Sequence, residues 1–158
     1  MMNAIRLMAL AACMAVTLDA SAQEQEIRLF SHRGGRMEHD ENTLSAFQAS
    51  YDAGYRGFET DIRMTKDGAL VITHDSSLER TTDGTGIVEE KTEAEIRRLA
   101  TKQGNKMMFL DELLDFLKGK EGLYVEFEMK THPAALYPEA RLAEYCDKLY
   151  DAVMAIKP

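Results

Sequence analysis

Two stretches of this chain alternate between apolar and polar residues over a strand's length, and a period of two suits a sheet with two unlike faces. From Phe58 to Met64, the residues Phe58, Thr60, Ile62 and Met64 fall on one side and Glu59, Asp61 and Arg63 on the other. From Leu123 to Lys130, Val125, Phe127 and Met129 face one way, and Tyr124, Glu126, Glu128 and Lys130 the other. Each strand thus has an apolar face for helices to cover and an acidic face turned away from them.

The segments between fill in the order of elements. Ile27 to Arg33 reads as a short strand. Asn42 is the expected N-cap of a helix over Thr43 to Ala53, with Leu44, Phe47 and Tyr51 on its stripe and Gly54 as its stop. Asp67-Gly68 is a tight-turn signal leading into a strand from Leu70 to Thr73, and so short a link forces an antiparallel return. With Asp67 and Gly68 as a two-residue loop, Lys66 pairs with Ala69 and Asp61 lies opposite His74. Thr92 and Glu95 form a capping box that opens a helix toward Ala100. Phe109 to Leu117 is helical in spacing and stops at Gly119. A last helix covers Pro138 to Met154, with Leu142, Tyr145, Leu149 and Val153 inward.

The order is β, α, β, an inserted hairpin with a small helix, α, β, α. The expected class is α/β, a (β/α)8 TIM-barrel fold truncated to about its first three βα units plus the insertion. A full barrel takes roughly 250 residues, whereas this chain has 158. The expectation is therefore a fragment, a truncated gene product or half of an assembly, whose open sheet could self-associate.

Net charge is -8, which argues against nonspecific binding to nucleic acid or to an anionic membrane. Met1 to Arg6 is a short positive start, Leu7 to Leu18 is apolar, and Ala20-Ser21-Ala22 fits a cleavage site. Residues 1–22 read as a secretory signal and 23–158 as the functional domain, exported to the periplasm or secreted. The apolar stretch is too short for an ordinary membrane span. Leu10-Ala11-Ala12-Cys13 resembles a lipid-attachment box. It ranks second because the apolar run continues through Val16 and Leu18. Cleavage leaves Cys146 as the one cysteine, so no internal disulfide can form.

Chemistry concentrates on the acidic faces. Glu59 and Asp61 share one side of a strand, and two carboxylates about 4 Å apart repel by ~1 kcal/mol in water and ~4 kcal/mol at an effective dielectric of 20. A divalent cation converts that repulsion into binding, and an all-oxygen donor set suits Mg²⁺ or Ca²⁺. One of Glu126 and Glu128 supplies a third ligand, and Lys130 can hold a phosphate oxygen. His32 and His74 follow short apolar strands and suit proton transfer both ways. Arg33, beside His32, can grip phosphate with two donors. Arg80 is assigned a loop-shaping pair with Asp75 or Asp83, and His39 and His132 no role. Against each stands a blander reading, that of a solvated strand face or a satisfied structural histidine. There is no phosphate-binding Gly-rich loop, nucleophilic Ser elbow or Cys/His zinc pattern.

Together these motifs resemble the glycerophosphodiester phosphodiesterase family. The pieces are His32-Arg33-Gly34, Glu41-Asn42-Thr43, Glu59-Thr60-Asp61, Asp67-Gly68, His74-Asp75, the run from Leu78 to Gly86, and Glu128-Met129-Lys130. They stand in the family's order from Leu29 to Lys130. The resemblance implies a (β/α) barrel with an insertion after its second strand. It implies one divalent cation on Glu59, Asp61 and Glu128, with Glu128 preferred because Glu126 stands where the family often has Asn. It further implies His32 and His74 as general acid and base, Arg33 and Lys130 on the phosphate, and glycerophosphodiesters cleaved to an alcohol and glycerol 3-phosphate. The alternatives are a related phospholipase-type phosphodiesterase, or a non-catalytic remnant that binds metal or a partner.

Overall fold

The computed structural model describes residues 28–156. The signal, its cleavage site and Cys13 lie outside them, as does Ile27 of the first expected strand.

The alternating segments form the sheet as their period requires. Strand β2 (Gly57–Met64) is its centre, and three strands hydrogen-bond to it. β1 (Phe30–His32) runs parallel along Gly57 to Glu59, and β4 (Tyr124–Met129) runs parallel along Gly57 to Ile62. β3 (Leu70–Ile72) returns antiparallel along Ile62 to Met64. Ile62 pairs with both Ile72 and Met129, so β3 continues the edge that β1 occupies and β4 takes the other. The parallel strands thus lie in the order β1, β2, β4. Each is followed by helix: α1 (Leu44–Asp52), then α3 (Leu110–Leu117) after the insertion, then α4 (Glu139–Ala155). This is an α/β fold.

The apolar faces do what the alternation demands. Phe58, Ile62 and Met64 are fully buried against Phe47 of α1, Leu113 of α3 and Tyr145 of α4. The insertion between β3 and α3 carries its own core of Val71, Leu78, Val88, Ile96, Met107 and Phe109. It includes a 3-10 turn (Val88–Glu90) and the one-turn helix α2 (Glu93–Ile96), which opens on the expected capping box but stops short of Ala100.

Three expectations are corrected. The hairpin loop has three residues rather than two: Thr65 N–H donates to Ala69 O at 2.8 Å, and Lys66, Asp67 and Gly68 turn between them. Gly68, at φ +87°, supplies the left-handed residue such a loop needs. The register moves by one, Thr73 N–H bonds to Asp61 O at 3.0 Å, and His74 comes after the strand has ended. Secondly, Thr43 rather than Asn42 caps α1, its hydroxyl accepting from Ala46 N–H. Thirdly, Leu44 is 44% exposed, and Ala46, Phe47 and Ser50 form the buried stripe. Phe47 is buried as expected and Tyr51 packs against the core, so only the first residue of the expected stripe faces outward.

Candidate active site

The acidic faces of β2 and β4 meet side by side. The register sets Glu59 against Glu126 and Asp61 against Glu128. Carboxylate oxygens of Glu59, Asp61 and Glu128 lie within 4.8 Å of one another. Asp61 is wholly buried, the Glu59 side chain is 13% exposed, and that of Glu128 is 54% exposed. The cluster is therefore closed at the sheet and open above it.

Asp61 is the hub. Arg33 Nε lies 3.1 Å from Oδ2, the Asn42 amide donates to Oδ2 at 2.9 Å, and Lys130 Nζ lies 2.9 Å from Oδ1. The Lys130 ammonium also donates to Glu128 at 2.5 Å, bridging two of the three carboxylates. Glu59 is treated differently. Its Oε2 accepts the Arg33 backbone N–H at 3.1 Å and lies 3.5 Å from His32 Nε2, but its Oε1 is buried without a hydrogen-bond partner. Burial first, then the charge of Asp61, raises its pKa to about 7. A buried carboxylate oxygen with no donor, inside an all-oxygen set of three, fits a hard divalent cation.

The loops after the strands hold the remaining groups. Arg33 (φ 55°) and Asn42 (φ 58°) both adopt the left-handed region that non-glycine residues avoid. Asn42 N–H bonds to Arg33 O at 2.9 Å, which locks the two conformations together. That bend brings Arg33 and the Asn42 amide onto Asp61. His74 Nδ1 lies 2.6 Å from Asp75 Oδ1, and Arg80 Nε donates to the second oxygen of Asp75. The Arg80 fork also reaches Glu41 at 2.7 and 2.9 Å, and Glu41 in turn lies 3.2 Å from Arg33 Nη1. These bonds depress the pKa of Glu41, and Arg80 and the His74 ring depress that of Asp75 against the effect of its burial. Burial, followed by the charges of Arg33 and Arg36, lowers that of His32; the charge of His74 acts in the same direction.

All seven residues singled out in the sequence thus fall at one end of the sheet. Six of them form a connected set: His32 on Glu59, Arg33 and Lys130 on Asp61, and Lys130 on Glu128, with the three carboxylates clustered. His74 stands across a cavity of about 610 Å³ that it lines with Arg63, Glu128, Lys130 and His132. Arg33 and Lys130 are both engaged by carboxylates. Arg80 pairs with Asp75, as expected, and with Glu41 rather than Asp83. Sequence reasoning gave Asn42 only a capping role and Glu41 and Asp75 no role of their own. Their signal was position, since each adjoins a residue already implicated.

Among the described residues no helix is long and apolar enough to cross a membrane, and Cys146 is exposed and free.

Residues 32–154 match the model of the glycerophosphoryl diester phosphodiesterase family. A glycerophosphodiester phosphodiesterase of Caldanaerobacter subterraneus is 35% identical over 117 residues, which cover 70% of this chain and 47% of that relative. A phosphodiesterase of Oleispira antarctica, solved in complex with the product sn-glycerol-3-phosphate, superposes with a TM-score of 0.70 at 25% identity, covering 81% of this chain and 52% of the other. A glycerophosphoryl diester phosphodiesterase of Parabacteroides distasonis gives a TM-score of 0.62 at 30% identity, covering 80% and 45%. The chain spans about half the length of these relatives.

Proposed function

Since the chain belongs to the glycerophosphoryl diester phosphodiesterase family, we propose that the protein hydrolyses glycerophosphodiesters to an alcohol and glycerol 3-phosphate, using one divalent cation and two histidines. The observation that carries this reading is the convergence of Glu59, Asp61 and Glu128 from two strands into one oxygen cluster beside His32. The product held by the Oleispira relative supports the substrate class.

Glu59, Asp61 and Glu128 would hold the cation, Mg²⁺ or Ca²⁺. When bound, it supplies Lewis acidity toward a phosphoryl oxygen. The chain's own groups do the rest. One imidazole takes the proton of the attacking hydroxyl, and the other gives a proton to the departing alkoxide. Asp75 fixes the His74 ring through Nδ1, leaving Nε2 for the substrate. Lys130, beside Asp61 and Glu128, would offer its ammonium to a phosphate oxygen. Arg33 orients Asp61 through Nε, and its guanidinium would add positive charge beside the phosphate.

The barrel belongs to the same proposal. Three parallel strands in chain order, helices against one face and the charged groups gathered at their carboxyl ends are the pattern of a (β/α) barrel.

The test is hydrolysis of bis(p-nitrophenyl) phosphate and of glycerophosphocholine, with EDTA and with Mg²⁺ or Ca²⁺ restored. Activity lost in EDTA and recovered with cation is expected, together with loss of at least about a hundredfold in His74→Ala. Hydrolysis indifferent to EDTA, or a His74→Ala variant equal to the parent, would overturn the reading.

A further inference from the structure

We propose that Arg63 is a positioning residue for His74, and that Glu89 and Tyr137 lock it in place. The proposal rests on the role given to His74 above. Arg63 shares the face of β2 that bears Glu59 and Asp61, but it does not join their cluster. Its side chain is 6% exposed and reaches the His74 segment. There Nε donates to His74 O at 2.9 Å, and Nη1 donates to Glu89 Oε1 at 2.6 Å and to His132 O at 3.0 Å. One guanidinium thus ties together the end of β3, the 3-10 turn of the insertion and the loop after β4.

The lock is itself buried. Glu89 and Tyr137 are 5% and 6% exposed, and the Tyr137 hydroxyl donates to the same Glu89 oxygen at 2.7 Å. The Tyr137 ring stacks on Tyr145 of α4, with centroids 5.8 Å apart, and the Tyr145 hydroxyl bonds Ile62 O. Arg63 springs from the central strand and Tyr137 packs in the core, so the position of the His74 backbone is tied to the sheet. This matters because His74 has no ladder to hold it. The strand ends at Ile72, and the one-residue shift of register leaves His74 in the loop. Asp75 holds the ring through Nδ1, and Arg63 holds the main chain through the carbonyl oxygen. A planar fork with several donors can serve three acceptors at once, and a lysine ammonium on a flexible stem cannot reproduce that span.

The experiment uses the whole chain labelled with ¹⁵N-histidine, with Arg63→Lys and Tyr137→Phe as variants. Arg63→Lys keeps a cation opposite Glu89 and removes the donor to His74. The His74 ring resonances are expected to shift or broaden while those of His39 stay in place. With substrate, kcat is expected to fall about ten- to a hundredfold with KM changed by less than about twofold. Tyr137→Phe should move the same resonances the same way by less, and it serves alone should Arg63→Lys fail to fold. A melting temperature lowered with unchanged His74 signals in every variant that folds would make Arg63 merely structural and overturn the proposal. The ring signals report whether or not the parent hydrolyses a diester. An inactive parent whose His74 still responds to Arg63→Lys therefore sinks the catalytic reading and leaves the positioning intact.

Discussion

Glu59 carries a carboxyl oxygen into a buried place with no donor to meet it, and its raised pKa follows from that placement. The folded protein binds this proton more tightly than the unfolded chain. Its stabilising effect is therefore fully present below the ordinary carboxylate range and is lost as pH rises through about 7. In EDTA, the difference in melting temperature between the parent and Glu59→Gln should grow against the parent from pH 5 to pH 8. Divalent cation should close that difference at pH 8, because it needs the ionised carboxylate. Asp61, by contrast, has donors on every side, from Arg33, Asn42 and Lys130. Asp61→Ala removes the acceptor shared by Arg33, Lys130 and the Asn42 amide, leaving the two cations only Glu41 and Glu128, and should destabilise the protein by about 1–3 kcal/mol in urea unfolding, besides abolishing cation binding by calorimetry.

At the scale of elements, the β1 exit is a close joint between strand and helix. Gly34 sits at φ +75°, and a Cβ there would meet the Cβ of Ala46 on α1 at 2.9 Å. The turn must be this close because the Ser50 hydroxyl, also on α1, donates to Gly34 O at 3.0 Å. Gly34→Ala should cost about 1–3 kcal/mol from backbone strain and should weaken cation binding as well, since the same bend delivers Arg33 and Asn42 to Asp61. A loss of stability with unchanged cation affinity would separate the bend from the site. The acidic faces of β2 and β4 were legible because each strand declares its own by alternation; that the two strands pair was not. Nor was the β3 register. Asp67-Gly68 is compatible with a two- or a three-residue loop, and the hydroxyl of Thr65, bonded to Asp67 and to Ala69 N–H, decides for the longer one.

For the molecule as a whole, the sheet has two unlike sides: the apolar faces of β2 and β4 pack on helices, and every charged group of the site lies on the other side or at the strand ends. Export before Gln23 is the proposal that goes with residues 1–22. N-terminal sequencing of protein recovered outside the cytoplasm should begin at Gln23, and a lipid-modified Cys13 terminus would replace that reading with the second one.

What the sequence determined by itself was the set of groups: which strands carry carboxylates, that they lie on one face, and that two histidines and two cations come with them. A period of two and a motif order are local properties, so they survive without coordinates. The tertiary structure alone decided how those groups are paired. Arg33 and Lys130 turn to Asp61, Asn42 leaves the helix cap for the same carboxylate, and Arg63 turns away from the cluster to hold the main chain of His74. Such choices depend on which donors lie nearest each acceptor once water is excluded, and that is fixed by contacts between residues far apart in the chain.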